Sequence, residues 1–222
     1  MGTATNRTYK HGQSQIKLYV DGSFGPDRNV IGYTALMVCD GEIIGQFTGS
    51  EEVSSNDRLK AHMSIYAELA ALEAGLRMLG DFARCCGERI AHCKAIQIVS
   101  DCNQAIKAAN GGQISTNILI RNTSRRIIDL LRPFKVHAKK VSGHVEQDTM
   151  NDMCDGQAYK AMSTHKIGNG AVMRVTLLWR EGYVRKRIVC AGHAYTRNNG
   201  RVCDGRVMPA RNCPYTRTGW RI

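Results

Sequence analysis

The stretch IKLYVDGSFGPDRNVIGYTALMVCDGEIIGQFTG, residues 16–49, decides the fold. It divides into three runs rich in β-branched, aromatic and aliphatic residues: IKLYV (16–20), VIGYTALMVC (30–39) and EIIGQFTG (42–49). A Gly/Pro/Asp/Asn loop separates the first two, and the pair Asp40-Gly41 separates the second two. Asp-Gly between alternating apolar runs is a strong hairpin signal, because both turn residues of the favoured hairpin take positive φ. The three runs therefore predict an antiparallel meander. The first ends in Asp21, which is poorly suited to packing and well placed for chemistry. Side chains at strand ends line the crevice where open sheets bind ligands.

Downstream the period changes. SIYAELAALEAGLRML (64–79) sets Ile65, Leu69, Leu72, Leu76 and Leu79 at steps of three and four, predicting a helix with one apolar face. Beyond Gly80 the chain reads as irregular. AIQIVS (95–100) reads as a strand ending at Asp101, and NQAIKAAN as a short helix stopped by Gly111-Gly112. ILIRNTSRRIIDLL (118–131) reads as a helix stopped by Pro133, FKVHAKKV (134–141) as a strand, and residues 150–163 as a final helix. The order βββαβααβα predicts an α/β fold with a five-stranded mixed sheet flanked by helices, the antiparallel meander coming before the parallel strands. Gly168 and Gly170 mark a boundary. Beyond it, VMRVTLLWREGYVRKRIV (172–189) reads as a hairpin turning at Glu181-Gly182. The expected organisation is a flexible N-terminus (1–14), an α/β domain (15–166) and a small, basic, β-rich and Cys/Arg-rich module (171–222).

Charge is unevenly spread over the 222 residues. Residues 171–222 hold eleven Lys/Arg against Glu181 and Asp204, so this segment carries +9 of the net +12. Trp179 and Trp220 lie there too. A basic, aromatic-bearing segment beside a nearly neutral domain points to nucleic acid as the partner, with Trp179, Arg185, Lys186 and Arg187 as contacts and Arg121, Arg125 and Arg126 as a shorter basic surface. No apolar run approaches the roughly 20 residues needed to cross a bilayer, and residues 1–15 lack the apolar core of a signal peptide. The expectation is an intracellular protein without membrane contact, in the cytoplasm or another nucleic-acid-containing compartment. The nine cysteines follow no disulfide framework, so thiols or metal ligands are expected. Among them Cys190, His193, Cys203 and Cys213 form a C-x2-H…C…C set that could hold a structural zinc ion, although it lacks the usual second close pair.

Asp101 repeats the arrangement of Asp21, an apolar strand closed by an aspartate. If these strands are parallel neighbours, the two carboxylates lie side by side. Glu68 borders the apolar face of the long helix, and Asp155 sits near the start of the last helix, eleven residues after His144. Four carboxylates with little local basic compensation repel one another unless cations sit among them. Hard oxygen donors suit Mg²⁺ or Mn²⁺. Two such ions about 4 Å apart can activate a water and steady the leaving oxygen of a phosphodiester.

The Asp-Gly-Ser of YVDGSF, the AELAALEAGL helix, the strand ending VSDCNQAI, and VSGHVE followed by NDMCDGQA resemble the active-site motifs of the ribonuclease H family, in that family's order, over residues 15–163. The resemblance implies the fold predicted above and a two-metal hydrolysis of the RNA strand in RNA–DNA hybrids, leaving 5′-phosphomonoesters. It makes Asp21, Glu68, Asp101 and Asp155 the metal carboxylates. His144, on a Gly-His loop, would assist proton transfer or product departure. Gly22 and Ser23 would contact substrate through backbone amides, and Asn103 would offer amide hydrogen bonds to base edges or a sugar. The chain departs from the pattern in two places. Ser64 and Ile65 stand where many relatives carry a substrate-reading Asn before the helix glutamate, and Cys102-Asn103 stands where Ser-Gln is frequent. Junction resolvases and exonucleases use the same sheet, and a non-catalytic nucleic-acid-binding or assembly protein could be built on it.

Overall fold

The computed structural model describes residues 15–53, 60–85, 95–112, 117–142, 149–168, 171–177, 186–191, 200–203 and 206–209. Their strands are β1 (Ile16–Gly25), β2 (Val30–Cys39), β3 (Glu42–Glu52), β4 (Ile96–Ser100), β5 (Val136–Lys140), β6 (Val172–Leu177), β7 (Lys186–Ala191), β8 (Gly200–Cys203) and β9 (Arg206–Pro209). The helices are α1 (Met63–Cys85), α2 (Asn103–Ala109), α3 (Ile118–Leu131) and α4 (Thr149–Ser163). All nine strands form one sheet in the order β5-β4-β1-β2-β3-β6-β7-β8-β9. The meander is antiparallel, as expected, and Asp40 and Gly41 take φ of 51° and 82° at its tight turn. β4 and β5 join parallel to β1.

The sheet divides the core in two. On one face Leu18, Val20, Ala35 and Phe47 pack against Leu69, Leu72 and Leu76 of α1. On the other, Tyr19, Leu36, Val38 and Val99 meet Cys154 of α4. α3 packs on α1 rather than on the sheet, its N-terminus capped by Asn117, whose Oδ1 accepts from the Leu119 and Ile120 N–H groups.

Three expectations are corrected. β1 does not stop at Asp21: its parallel pairing with β4 ends at Tyr19↔Val99, while its antiparallel pairing with β2 continues to Gly25↔Val30. Asp21 thus stands where one neighbour ends and the other goes on. α1 passes through Gly80 to Cys85, because buried Leu79 and Phe82 continue its apolar face and outweigh the roughly 1 kcal/mol that glycine costs a helix. β6 pairs with β3 along Gly45–Ser50, placing Met173 and Val175 in the main core and joining the C-terminal strands to the same sheet. The β6–β7 pairing fits the expected hairpin, whose turn lies outside the described residues. No helix among the described residues is long and apolar enough to cross a membrane.

Candidate functional site

Side-chain alternation along β1 turns Leu18, Val20 and Gly22 toward α1 and Tyr19 and Asp21 toward α4. A Cβ on Gly22 would lie 2.2 Å from the Ala67 carbonyl carbon and 2.4 Å from the Glu68 nitrogen. Only glycine lets the α1 backbone rest directly on β1 there, and that contact sets Glu68 beside Asp21. On the opposite face a Cβ on Gly32 would lie 2.1 Å from the Ala158 carbonyl oxygen, so α4 approaches β2 as closely. The buried Cys154 thiol donates to the Thr34 carbonyl at 3.4 Å, which holds the turn of α4 that carries Asp155. At the end of β4 the Cys102 N–H donates to the buried Ser100 hydroxyl at 3.0 Å, shaping the turn that presents Asp101.

The result is a close carboxylate group. Asp21, Glu68 and Asp101 each offer an oxygen, and these three oxygens lie within 4.8 Å of one another. Asp155 stands outside this threesome, yet its charge reaches Asp21. Burial first, then the charges of Asp101 and Asp155, push Asp21 up to about 7, against the opposing hydrogen bonds from the Gly22 N–H (2.7 Å) and from Glu68. Burial also holds Glu68 well above the usual carboxylate range, with the charges of Asp21, Cys102 and Asp101 adding to it. Glu68 Oε2 is buried and makes no hydrogen bond among the described residues.

A mutually repelling carboxylate set, with Asp21 buried, Glu68 and Asp101 half-buried and one oxygen orphaned, is what a cation corrects. Burial pushes the Cys102 and Cys154 thiols up as well, so they remain protonated and the available donors are hard oxygens. Such a set fits Mg²⁺ or Mn²⁺.

Other expected residues fall in varied places. Gly22 spends its amide on Asp21, and the Ser23 hydroxyl points at Met162 Sδ, 3.7 Å away. Asn103 is exposed at the start of α2 and Arg125 is exposed on α3, whereas Arg121 is half-buried. Arg126 is held by Glu73 through its Nε (2.7 Å) and an amino group (3.0 Å), which ties α3 to α1. Glu73 itself is buried between Arg77 and Arg126. Lys186, Arg187 and Cys190 lie on β7 and Cys203 on β8, with Ile188 opposite Cys203. His144, Trp179, Arg185, His193 and Cys213 lie outside the described residues.

Two neighbours of the site escaped the sequence reading. Thr34 stands opposite Asp21 in the β1–β2 register, and Asn151 sits one turn before Asp155 on α4. Both are buried, and Thr34 Oγ1 and Asn151 Oδ1 lack a hydrogen-bond partner among the described residues. The four-residue spacing from Asn151 to Asp155 was the available signal. A cavity of about 530 Å³ between α1 and α3, lined by Leu76, Leu130 and Phe134, lies behind α1 and holds none of the four carboxylates.

No family model matches the chain, and no curated protein matches it. Solved structures do. An RNase H1 from the halophilic archaeon Halobacterium salinarum is 19% identical, with a TM-score of 0.51 over 68% of this chain and 99% of that one. The N-terminal RNase H domain of a Mycobacterium tuberculosis protein is 15% identical, with a TM-score of 0.50 over 67% of this chain and 94% of that one. LC11-RNase H1, solved in complex with an RNA/DNA hybrid, is 11% identical, with a TM-score of 0.52 over 67% of this chain and 96% of that one. The mixed sheet, the helices on its two faces and these likenesses agree: the chain contains a domain with the ribonuclease H-like fold.

Proposed function

We propose that this chain is a divalent-metal-dependent endonuclease that hydrolyses the RNA strand of RNA–DNA hybrids. The observation that carries this reading is the oxygen cluster of Asp21, Glu68 and Asp101, partly buried, repelling and incomplete without a cation. The hybrid bound by LC11-RNase H1, a protein of the same fold, supports the substrate class.

In this reading Asp21, Glu68, Asp101 and Asp155 would hold two Mg²⁺ or Mn²⁺ ions, Asp21 and Asp101 contributing to both, Glu68 to one and Asp155 to the other. When bound, such ions would supply an activated water and charge stabilisation at the leaving oxygen, the chemistry that cuts RNA to a 5′-phosphate end. The chain's own groups do the rest. The Gly22 N–H fixes the orientation of Asp21, and the α1–β1 contact at Gly22 fixes Glu68. His144, on the segment before α4, carries a proton to or from the reacting oxygens. Asn103 and Arg125 contact the duplex, and the basic C-terminal strands, with Lys186 and Arg187, hold its phosphates.

Asp101→Asn tests the assignment, because it keeps the shape of the site and removes a charge. Cleavage should fall by about 10²-fold or more, the scale lost with one preorganised electrostatic group. Hybrid binding should hold or tighten as repulsion of the phosphates eases. Retained turnover in this variant would remove the carboxylates from the mechanism.

A further inference from the structure

Beside Asp155, helix α4 carries a feature that the metal site does not use. Tyr159 lies one turn further along and is 60% exposed, and no hydrogen bond or ring contact holds it among the described residues. Helical side chains lean toward the N-terminus, so this ring covers the turn that bears Asp155 and Gly156.

Gly156 is the second observation. It sits inside α4, where glycine weakens a helix relative to alanine, and a Cβ built on it would meet nothing within 4 Å. Packing therefore gives no reason for glycine here, in contrast to Gly22 and Gly32, where a Cβ would strike backbone. Glycine without a neighbour to avoid suits a position where another molecule must approach the backbone closely.

Winding around α4 from its buried side, one meets half-buried Asp155, then exposed Tyr159, Asp152 and Gly156. Tyr159 and Gly156 are aromatic and bare, Asp155 and Asp152 beside them are negative, and exposed Lys160 follows one turn after Gly156. The face of the ring suits a base, and Asp152 suits a sugar whose hydroxyls can donate to it.

We infer that Tyr159 and Gly156 form a shelf for one nucleobase of the substrate, next to the scissile phosphate. The base stacks on the Tyr159 ring, and the missing side chain at Gly156 gives the nucleotide room against the helix. This rests on the nuclease reading above. Stacking tolerates every base, so the shelf positions the strand without selecting its sequence.

Steady-state cleavage of an RNA–DNA hybrid by the full chain tests the shelf, with melting temperatures measured alongside. Tyr159→Ala should raise KM by about 5- to 100-fold, the range of one lost base–aromatic stack, with kcat little changed. Tyr159→Phe, which keeps the ring, should match the wild type. Gly156→Ala should melt at a higher temperature, since alanine favours the helix, and yet show a raised KM. A purely structural role predicts the same gain in melting temperature with KM unmoved. That result, or a wild-type KM in Tyr159→Ala, overturns the shelf while leaving the nuclease reading intact. A wild-type chain that neither binds nor cuts the hybrid overturns both.

Discussion

Asp21 is a carboxylate held near pKa 7 by burial and by two neighbouring carboxylates, against an ordinary value of 3.8. Between those two pH values the folded chain keeps a proton that the unfolded chain has released. Metal-free stability therefore falls as pH rises from about 4 to about 7, then levels off. Asp21→Asn removes this titration. In EDTA it should melt above the wild type at pH 8 and close to it at pH 4. A variant that melts lower at pH 8 would show that the carboxylates are not under mutual strain. The grouping of Asp21, Glu68 and Asp101 was legible because each sits in a local pattern, a strand followed by Asp or a helix face bordered by Glu. The burial of Glu73 was not legible for the complementary reason: its partner Arg77 is four residues away, whereas Arg126 is 53 residues away and is brought there only by the packing of α3 on α1.

At the scale of elements, the meander, α3 and the parallel β4 and β5 follow from periodicity, turn chemistry and Pro133. Element ends were less legible, because they depend on neighbours. β1 runs past Asp21 because β2 continues to pair with it, and α1 runs past Gly80 because Phe82 still finds the core. The same dependence makes β6 part of the fold rather than an appendage. It covers the edge of β3 and buries Met173 and Val175. A chain ending at Gly170 should lose about 3–6 kcal/mol relative to one ending at Ala191, from the two buried side chains alone. It should also associate more readily through the bared β3 edge. Urea unfolding of the two truncations checks this. Equal midpoints would mean that β6 adds nothing to the core.

At the scale of the whole molecule, the chain combines a partly buried acidic cluster at the end of the parallel strands with a C-terminal sequence that carries most of the net positive charge. The two parts suit the proposed ligand, a polyanion that the basic part would grip and that cations held by the carboxylates would help to cut. Charge distribution was legible in sequence because it needs no fold, while the joining of the C-terminal strands to the sheet that carries Asp21 was not, because β3–β6 pairing links distant segments. The most direct test follows one end-labelled RNA strand on a gel, presented as RNA–DNA hybrid, as RNA duplex and as single strand, with Mg²⁺, with Mn²⁺ and with EDTA. The account predicts cuts within the RNA of the hybrid, dependent on the metal and lost in EDTA. An intact strand in the hybrid with either metal would contradict it.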